Sequence, residues 1–150
     1  MSDAKFQAIK RDDKQRFGTR AILLCGYSRE ELKTVRQLLQ NIGVQDVRVL
    51  MISEELLGMT LGRALETVEQ QRADSDELVQ RLPRILLFSG LTGQEVHSVM
   101  DQYKSTGLPR PIFASATEHS VKLPLPELIT ELISEQRAMM AKRNKGKVNG

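Results

Sequence analysis

The chain is predicted to be an α/β protein: two tandem β-α-β-α repeats forming a four-stranded, mostly parallel sheet with helices packed on it. Three observations predict this. Two short apolar runs, Ala21 to Cys25 and Ile85 to Phe88, have the length and flanks of buried strands. A glycine-containing turn and then an apolar stripe at helical spacing follow each run. The two halves also align at a constant offset of 64 residues, from Gly26 on Gly90 to Val68 on Leu132, with 6 of 43 aligned positions identical.

In the first half the helix after Cys25 places Leu32, Val35, Leu39 and Ile42 on one face, and Gly43 supplies a left-handed C-terminal cap. A second strand, "VRVLMIS", follows, and then an amphipathic helix from Thr60 to about Gln71. The second half repeats the order. Val96, Val99 and Tyr103 form the helix face, Gly107 the cap and "PIFASAT" the strand, and the last helix runs from Pro126, a favoured first-turn residue, to about Met140. The polar "EQQRADSDELVQRLP" joins the halves. The domain boundaries are therefore a basic N-terminal extension at 1–20, a first repeat at 21–72, a linker at 73–83, a second repeat at 84–140 and a basic disordered tail at 141–150. Strands separated by helices imply parallel pairs. Pattern leaves two arrangements open: one continuous parallel sheet, or halves meeting about a local two-fold axis with antiparallel central strands.

Composition narrows the function classes. The formal net charge is +3, but residues 1–20 carry six Lys/Arg against three Asp, and residues 136–150 carry five Lys/Arg and no acid. The remaining 115 residues hold eleven bases and sixteen acids, so the body is acidic and the ends are basic. Basic ends suit salt-sensitive contact with nucleic-acid phosphates, or simple solvation. One cysteine, Cys25, lies inside an apolar run, which fits a reducing cytoplasm. The N-terminus lacks an apolar core of signal-peptide length and no run reaches the roughly 20 apolar residues of a membrane span, so a cytoplasmic protein without membrane contact is expected.

A turn between strand and helix is where many nucleotide folds hold phosphate. Here "SREE" and "TGQE" match the capping box instead, with Ser28 or Thr92 capping the helix and Glu31 or Glu95 reaching back. Neither turn has the glycine spacing of a dinucleotide fingerprint or a P-loop. A possible ligand crevice at the strand ends comprises Gly26, Ser53, Gly90 and Thr117, which would suit a small-molecule sensor. No Asp lies in or just after the first three strands to accept a phosphoryl group. His97 aligns with Lys33 and is expected to face solvent, His119 sits in a polar loop, and two histidines with one cysteine make no metal-ligand cluster. No catalytic residue, cofactor or metal is expected.

The remaining candidates are surfaces. Leu128, Ile129, Leu132 and Ile133 form the core stripe of the last helix, and Met139 and Met140 extend it into a possible partner surface for a protein or a second copy of the chain. Arg137, Lys142, Arg143, Lys145 and Lys147 are the possible nucleic-acid contacts. With no Trp, two Tyr and four Phe, and with Phe88, Phe113 and Tyr103 on core faces, the chain lacks the stacking surface of a sequence-specific reader.

The second half also resembles a known family. "RILLFSGLTGQEVHSVMDQYKSTGLPRPIFASATEHSVKLPLPELITELISEQRAMM" is similar to the bacterial family called domain of unknown function 3783 across about residues 84–140. The resemblance rests on the strand ending in the Gly90 turn, the helix closing at Gly107, the "ASAT" strand end and "LPLPELITELISEQRAMM". The first half looks like a diverged copy. Members carry a tryptophan shortly after the strand-end threonine, whereas "EHSVKLPL" has none. The resemblance implies boundaries and no activity.

Overall fold

The two most apolar runs of the sequence become the two central strands. The computed structural model describes residues 9–67 and 82–149, the stretch 144–149 by its backbone alone. β1 (Ala21–Cys25) and β3 (Ile85–Ser89) are buried along their whole length. They pair antiparallel, with Ala21 opposite Ser89, Leu23 opposite Leu87 and Cys25 opposite Ile85. β2 (Arg48–Met51) lies parallel outside β1, and β4 (Ile112–Ser115) lies parallel outside β3. The strand order is β2-β1-β3-β4. Of the two arrangements the sequence left open, the sheet adopts the one with antiparallel central strands. The arrangement follows from burial: joining at β1 and β3 puts the fully buried strands inside and leaves the half-buried ones at the edges.

Strand alternation sends side chains to two cores, one on each face of the sheet. Ala21, Leu23, Cys25, Ile85 and Leu87 meet Leu56, Leu61, Leu65, Leu125, Leu128 and Leu132 on one face. Ile22, Leu24, Leu86 and Phe88 meet Val35, Leu39, Val96, Val99 and Tyr103 on the other. A strand covered on both sides is apolar nearly throughout, with Ser89 the one polar residue of these two strands, which is why these runs show no alternation. Phe113, on edge strand β4, stacks on Phe88 with centroids 6.1 Å apart and meets Tyr103 edge-on at 5.5 Å.

α1 (Arg29–Asn41) and α4 (Gly93–Tyr103) cover one face. α1 ends in the left-handed Gly43, and Val44 N–H returns to Leu39 O at 3.0 Å. A 3-10 turn, Lys104–Thr106, finishes α4 ahead of Gly107. On the other face the first half has two short helices: α2 (Glu54–Leu57), capped by Ser53, where the sequence suggests no helix, and α3 (Leu61–Glu66), capped by Thr60, at the start of the helix expected from Thr60 to about Gln71. Residues 68–71 of the expected helix, and residues 73–81 of the expected linker, lie outside the described residues. The matching place in the second half is a 3-10 turn, Ser120–Lys122, before α5 (Leu125–Asn149). α3 and α5 begin side by side. Leu61 N–H donates to Leu123 O and Leu125 N–H donates to Met59 O, both at 3.0 Å.

Two segments differ from the sequence reading. The described part of the N-terminal extension is not a free arm but a strap across the β3–α4 turn. Gln15 forms an antiparallel bridge with Thr92, Arg16 N–H donates to Leu91 O at 2.9 Å, and Gly90 N–H donates to Phe17 O at 3.0 Å. At the other end, the segment read as a disordered tail continues α5 to Asn149. Alanine, lysine and arginine are good helix formers, no proline intervenes, and basic residues suit a helix C-terminus. Among the described residues, no helix is long and apolar enough to cross a membrane.

Both strand-end turns leave no room for a side chain. A Cβ on Gly26 (φ +79°) would sit 2.6 Å from Leu82 O and 2.7 Å from Pro83 O, and one on Gly90 (φ +71°) would collide with Gly18 O and sit 2.8 Å from Arg20 N. Gly43 shares the backbone conformation but has open space around its Cβ position. Urea denaturation is therefore expected to show Gly43→Ala costing about 1 kcal/mol and Gly90→Ala at least about 3 kcal/mol, because only the second adds a backbone collision to the φ penalty. Equal losses at the two sites would contradict this packing.

Candidate functional site

The two helix starts singled out by the sequence are capped as expected. Ser28 Oγ accepts Glu31 N–H at 3.2 Å while Glu31 Oε1 accepts Ser28 N–H at 2.8 Å. Thr92 and Glu95 repeat the exchange at 3.1 and 2.8 Å. Each glutamate has a second task that the sequence reading missed. Arg84 Nη2 donates to Glu31 Oε2 at 3.0 Å, and Arg20 grips Glu95 through both oxygens at 2.8 and 2.9 Å. Each arginine stands immediately before the central strand of the opposite half, so the pairs bolt each strand entrance to the other half's helix start. A signal was present: Arg20 and Arg84 are separated by the same 64-residue offset, just upstream of the stretch that was aligned.

These contacts remove the chemistry an anion would need. At α4, Thr92 Oγ1 takes Glu95 N–H, and the strap carbonyls of Lys14 and Asp12 take the N–H groups of Gly93 and Gln94 at 3.3 and 2.8 Å. A carboxylate stands at each helix start, where it favours the dipole and repels an anionic ligand. The Arg84 hydrogen bond holds the Glu31 carboxyl below its usual range against the opposing cost of burial, and Arg20 does the same for Glu95.

The proposed crevice does not assemble. Because β1 and β3 run antiparallel, Gly26 and Ser53 lie at one end of the sheet and Gly90 and Thr117 at the other. Each residue also has a structural task. Ser53 is buried and its Oγ accepts Leu56 N–H at 3.2 Å, while Thr117 Oγ1 accepts Ser120 N–H at 3.0 Å. The two glycines are covered by the backbone described above.

Between the halves lies a polar cluster. Tyr27 and Tyr103 share a 2.6 Å hydrogen bond between their hydroxyls, and the Arg84 guanidinium sits 4.6 Å from the centre of the Tyr27 ring. Both rings are almost fully buried, and burial pushes both phenols above their ordinary range. They remain protonated, and the Tyr103 hydroxyl also donates toward Pro109 O at 3.5 Å. Burial also pushes the Cys25 thiol up to about 12, so at neutral pH it is a protonated, unreactive group.

His97 is a correction to the sequence reading. It is half-buried and its Nε2 lies 2.6 Å from Ile9 O of the strap, because the N-terminal segment covers the face of α4 that pattern alone left to solvent. His119 is exposed, 3.8 Å from Glu131. Among the described residues no three metal-binding side chains converge.

At the end of α5 the picture is different. The helix buries Leu125, Leu128, Ile129 and Leu132, half-buries Ile133, and then leaves the body. Met139 is half-buried, Met140 is 53 % exposed, and Arg137, Lys142 and Arg143 are all exposed. The side chains of Lys145 and Lys147 lie outside the described residues. Among the described residues, Phe17 on the strap is the other large apolar side chain standing exposed. The N-terminal bases are placed differently: Arg11 pairs with Asp101 at 2.5 Å, Arg16 with Asp12 at 2.8 Å and Arg20 with Glu95.

The depressed Glu31 and Glu95 carboxyls set the sign of the acid response. Their contribution is present above the ordinary glutamate range of about 4.3 and is lost as pH falls through the lower folded values. A denaturation series is expected to give a flat midpoint from about pH 5 to 7 and a falling one below, with the fall shallower in Glu31→Gln and Glu95→Gln. Each variant should also cost about 1–3 kcal/mol at pH 7, as a part-buried arginine loses its charged partner. An unchanged acid limb in the double variant would refute the assignment.

No curated protein and no solved structure matches the chain. The stretch that carries β3, α4, β4 and the core-packed part of α5, residues 84–139, matches the family described as Domain of unknown function (DUF3783).

Proposed function

We propose that the protein is a non-catalytic interaction or regulatory module that engages a protein partner, or a second copy of itself, through the projecting half of α5. The observation that carries this reading is the departure of α5 from the core after Ile133, with Met139 and Met140 beside exposed bases. Flexible methionines next to cationic groups suit a partner groove. Phe17 is less suited, since the segment around it is already engaged with the β3–α4 turn.

The behaviour of the reactive groups supports a non-catalytic reading: the thiol is held protonated, the capping carboxylates are tied to arginines, and the two phenols face each other. A free cysteine that serves as core favours a reducing, cytoplasmic setting. The family resemblance favours a bacterial one.

We also read the chain as a duplication of one β-α-β-α unit. Residues 64 apart play matching parts throughout: Arg20 and Arg84 as clamps, Gly26 and Gly90 as covered turns, Glu31 and Glu95 as capping glutamates, Ser53 and Thr117 as caps. Leu23 faces Leu87 across the seam, and Thr60 bridges Pro124, so residues at this offset meet each other in two separate places. Such pairing is what a local two-fold between copies produces.

A nucleic-acid reading is favoured by one observation: Arg137, Lys142 and Arg143 are exposed and charged on a segment without acids. Arg11, Arg16 and Arg20 of the N-terminal segment are paired internally and add little to it. The test compares the full chain with the combined Met139→Asp, Met140→Asp variant in protein capture, and titrates both with single- and double-stranded oligonucleotides across a salt series. The expected result is loss of protein association in the variant with an unchanged melting temperature, and oligonucleotide binding that is weak and salt-dependent. Tight oligonucleotide binding that survives the double substitution, with no protein association in either form, would replace this reading with the nucleic-acid one.

A further inference from the structure

The two halves differ at one edge of the sheet in a way that leaves a site open. In the second half α4 and β4 bring aromatic rings together: Phe113 meets Tyr103 edge-on at 5.5 Å and stacks on Phe88, and Met100 packs against the same core. Residues 64 positions earlier hold the same places in the first half, where Val49 stands for Phe113, Leu39 for Tyr103 and Arg36 for Met100. Two rings are thus replaced by short aliphatic side chains. A cleft of about 370 Å³ remains between α1 and β2, walled by Leu39, Val44, Val47 and Val49 and also lined by the exposed Arg36 and Asp46. Asp46 lies in the field of Arg20, whose charge it favours, whereas Arg36 has no ion-pair partner among the described residues. Beside the cleft, β2 is an edge strand. Ile52 N–H donates to Leu24 O at 3.0 Å, so Leu50 and Ile52 turn their backbone groups toward β1, while Val49 and Met51 turn theirs outward. Among the described residues no strand pairs with that outer side.

We propose that β2 and this cleft bind an extended segment of a partner protein, which adds as a further strand beside β2, sets an aromatic side chain against Leu39 and Val49, and brings a carboxylate to Arg36. Each part of the occupant answers a feature of the site. An aromatic ring fits because rings fill the matching place in the second half. A carboxylate fits because Arg36 is exposed and unpaired among the described residues, and Arg48, which also lines the cleft, spends its donors on the carbonyls of Leu65 and Thr67 rather than on an acid. An extended backbone fits because Val49 and Met51 offer donors and acceptors along the cleft, the mode of recognition in which main-chain hydrogen bonds give affinity and a side-chain pocket gives specificity. A residue added beside Val49 stands about 4.8 Å away, close enough for a ring on the same face to enter the cleft. None of these residues belongs to α5, so this surface is additional to the one at the end of that helix.

The test titrates the isotope-labelled full chain with capped hexapeptides carrying Phe-Thr-Glu or Glu-Thr-Phe, the two orders covering both strand directions, and reads amide shifts and hydrogen exchange. At least one order is expected to bind, shifting the amides of Leu39 and Val49 and slowing exchange at Val49 and Met51. Replacing the peptide's phenylalanine by alanine should weaken binding about tenfold. Arg36→Glu should weaken it about fivefold, a loss that fades at high salt. Val49→Phe gives the first half the ring of the second, and should abolish peptide binding while leaving the melting temperature no lower than that of the wild type. Where Val49→Phe does not fold, Arg36→Glu on the exposed face of α1 decides. The proposal is overturned if neither order shifts the cleft amides, if binding survives Val49→Phe in a folded protein, or if it is indifferent to the peptide's ring or to Arg36→Glu. Phenylpropionate serves as the small ligand of the same chemistry. If it matches the peptides in affinity and exchange at Val49 and Met51 is not slowed, strand addition is rejected.

Discussion

The rest of the structure depends on how β1 is joined to β3. Two strands so nearly apolar meet in the middle rather than at a sheet edge, and the antiparallel register then sends the chain into each strand past the helix start of the opposite half. Arg20 and Arg84 stand at those two crossings and close on Glu95 and Glu31. A charged pair at a partly covered site contributes little unless its geometry is fixed. Here the glutamate is already fixed by its role in the capping box, which makes it a rigid acceptor rather than a mobile side chain. One residue therefore starts a helix and joins two halves.

That double use has a cost in function. The glycine turn beside each helix start is the place where an α/β sheet most often admits a phosphate. In this chain the space is filled by incoming backbone, the amides of α4 are taken by Thr92 and by the strap, and the local charge is negative before arginine balances it. The conditions that make the seam secure are the ones that exclude an anion from it. Binding has to be sought away from the seam, and the helix that leaves the body is the largest element free of it.

The strands, the two capping boxes and the left-handed helix ends were legible in the sequence, because each depends on residues close together in the chain. Ser28 and Glu31 declare a cap whatever lies around them. Whatever depended on distant partners was not legible. Nothing near Arg20 in sequence announces Glu95, and a half-buried His97 cannot be distinguished from an exposed one until Ile9 is known to lie across it. The split crevice is the same failure in another form. Gly26, Ser53, Gly90 and Thr117 all stand at the ends of strands, but whether strand ends share a side of the sheet is decided by the register of β1 on β3. α2 was missed because Ser53 was read as the end of the second strand, although its side chain also caps a helix.

Charge shows most clearly why position in the fold must precede any reading of composition. The two ends of the chain are both basic, and by count they are equivalent candidates for a polyanion. The fold treats them oppositely. Arg11, Arg16 and Arg20 are consumed in holding the strap to α4 and to its own backbone, so these three charges stabilise the body. Arg137, Lys142 and Arg143 ride on a helix that has passed its last core contact, so the C-terminal charge is presented. The acids of α5 lie near its N-terminus and the bases near its C-terminus, the arrangement the helix dipole favours.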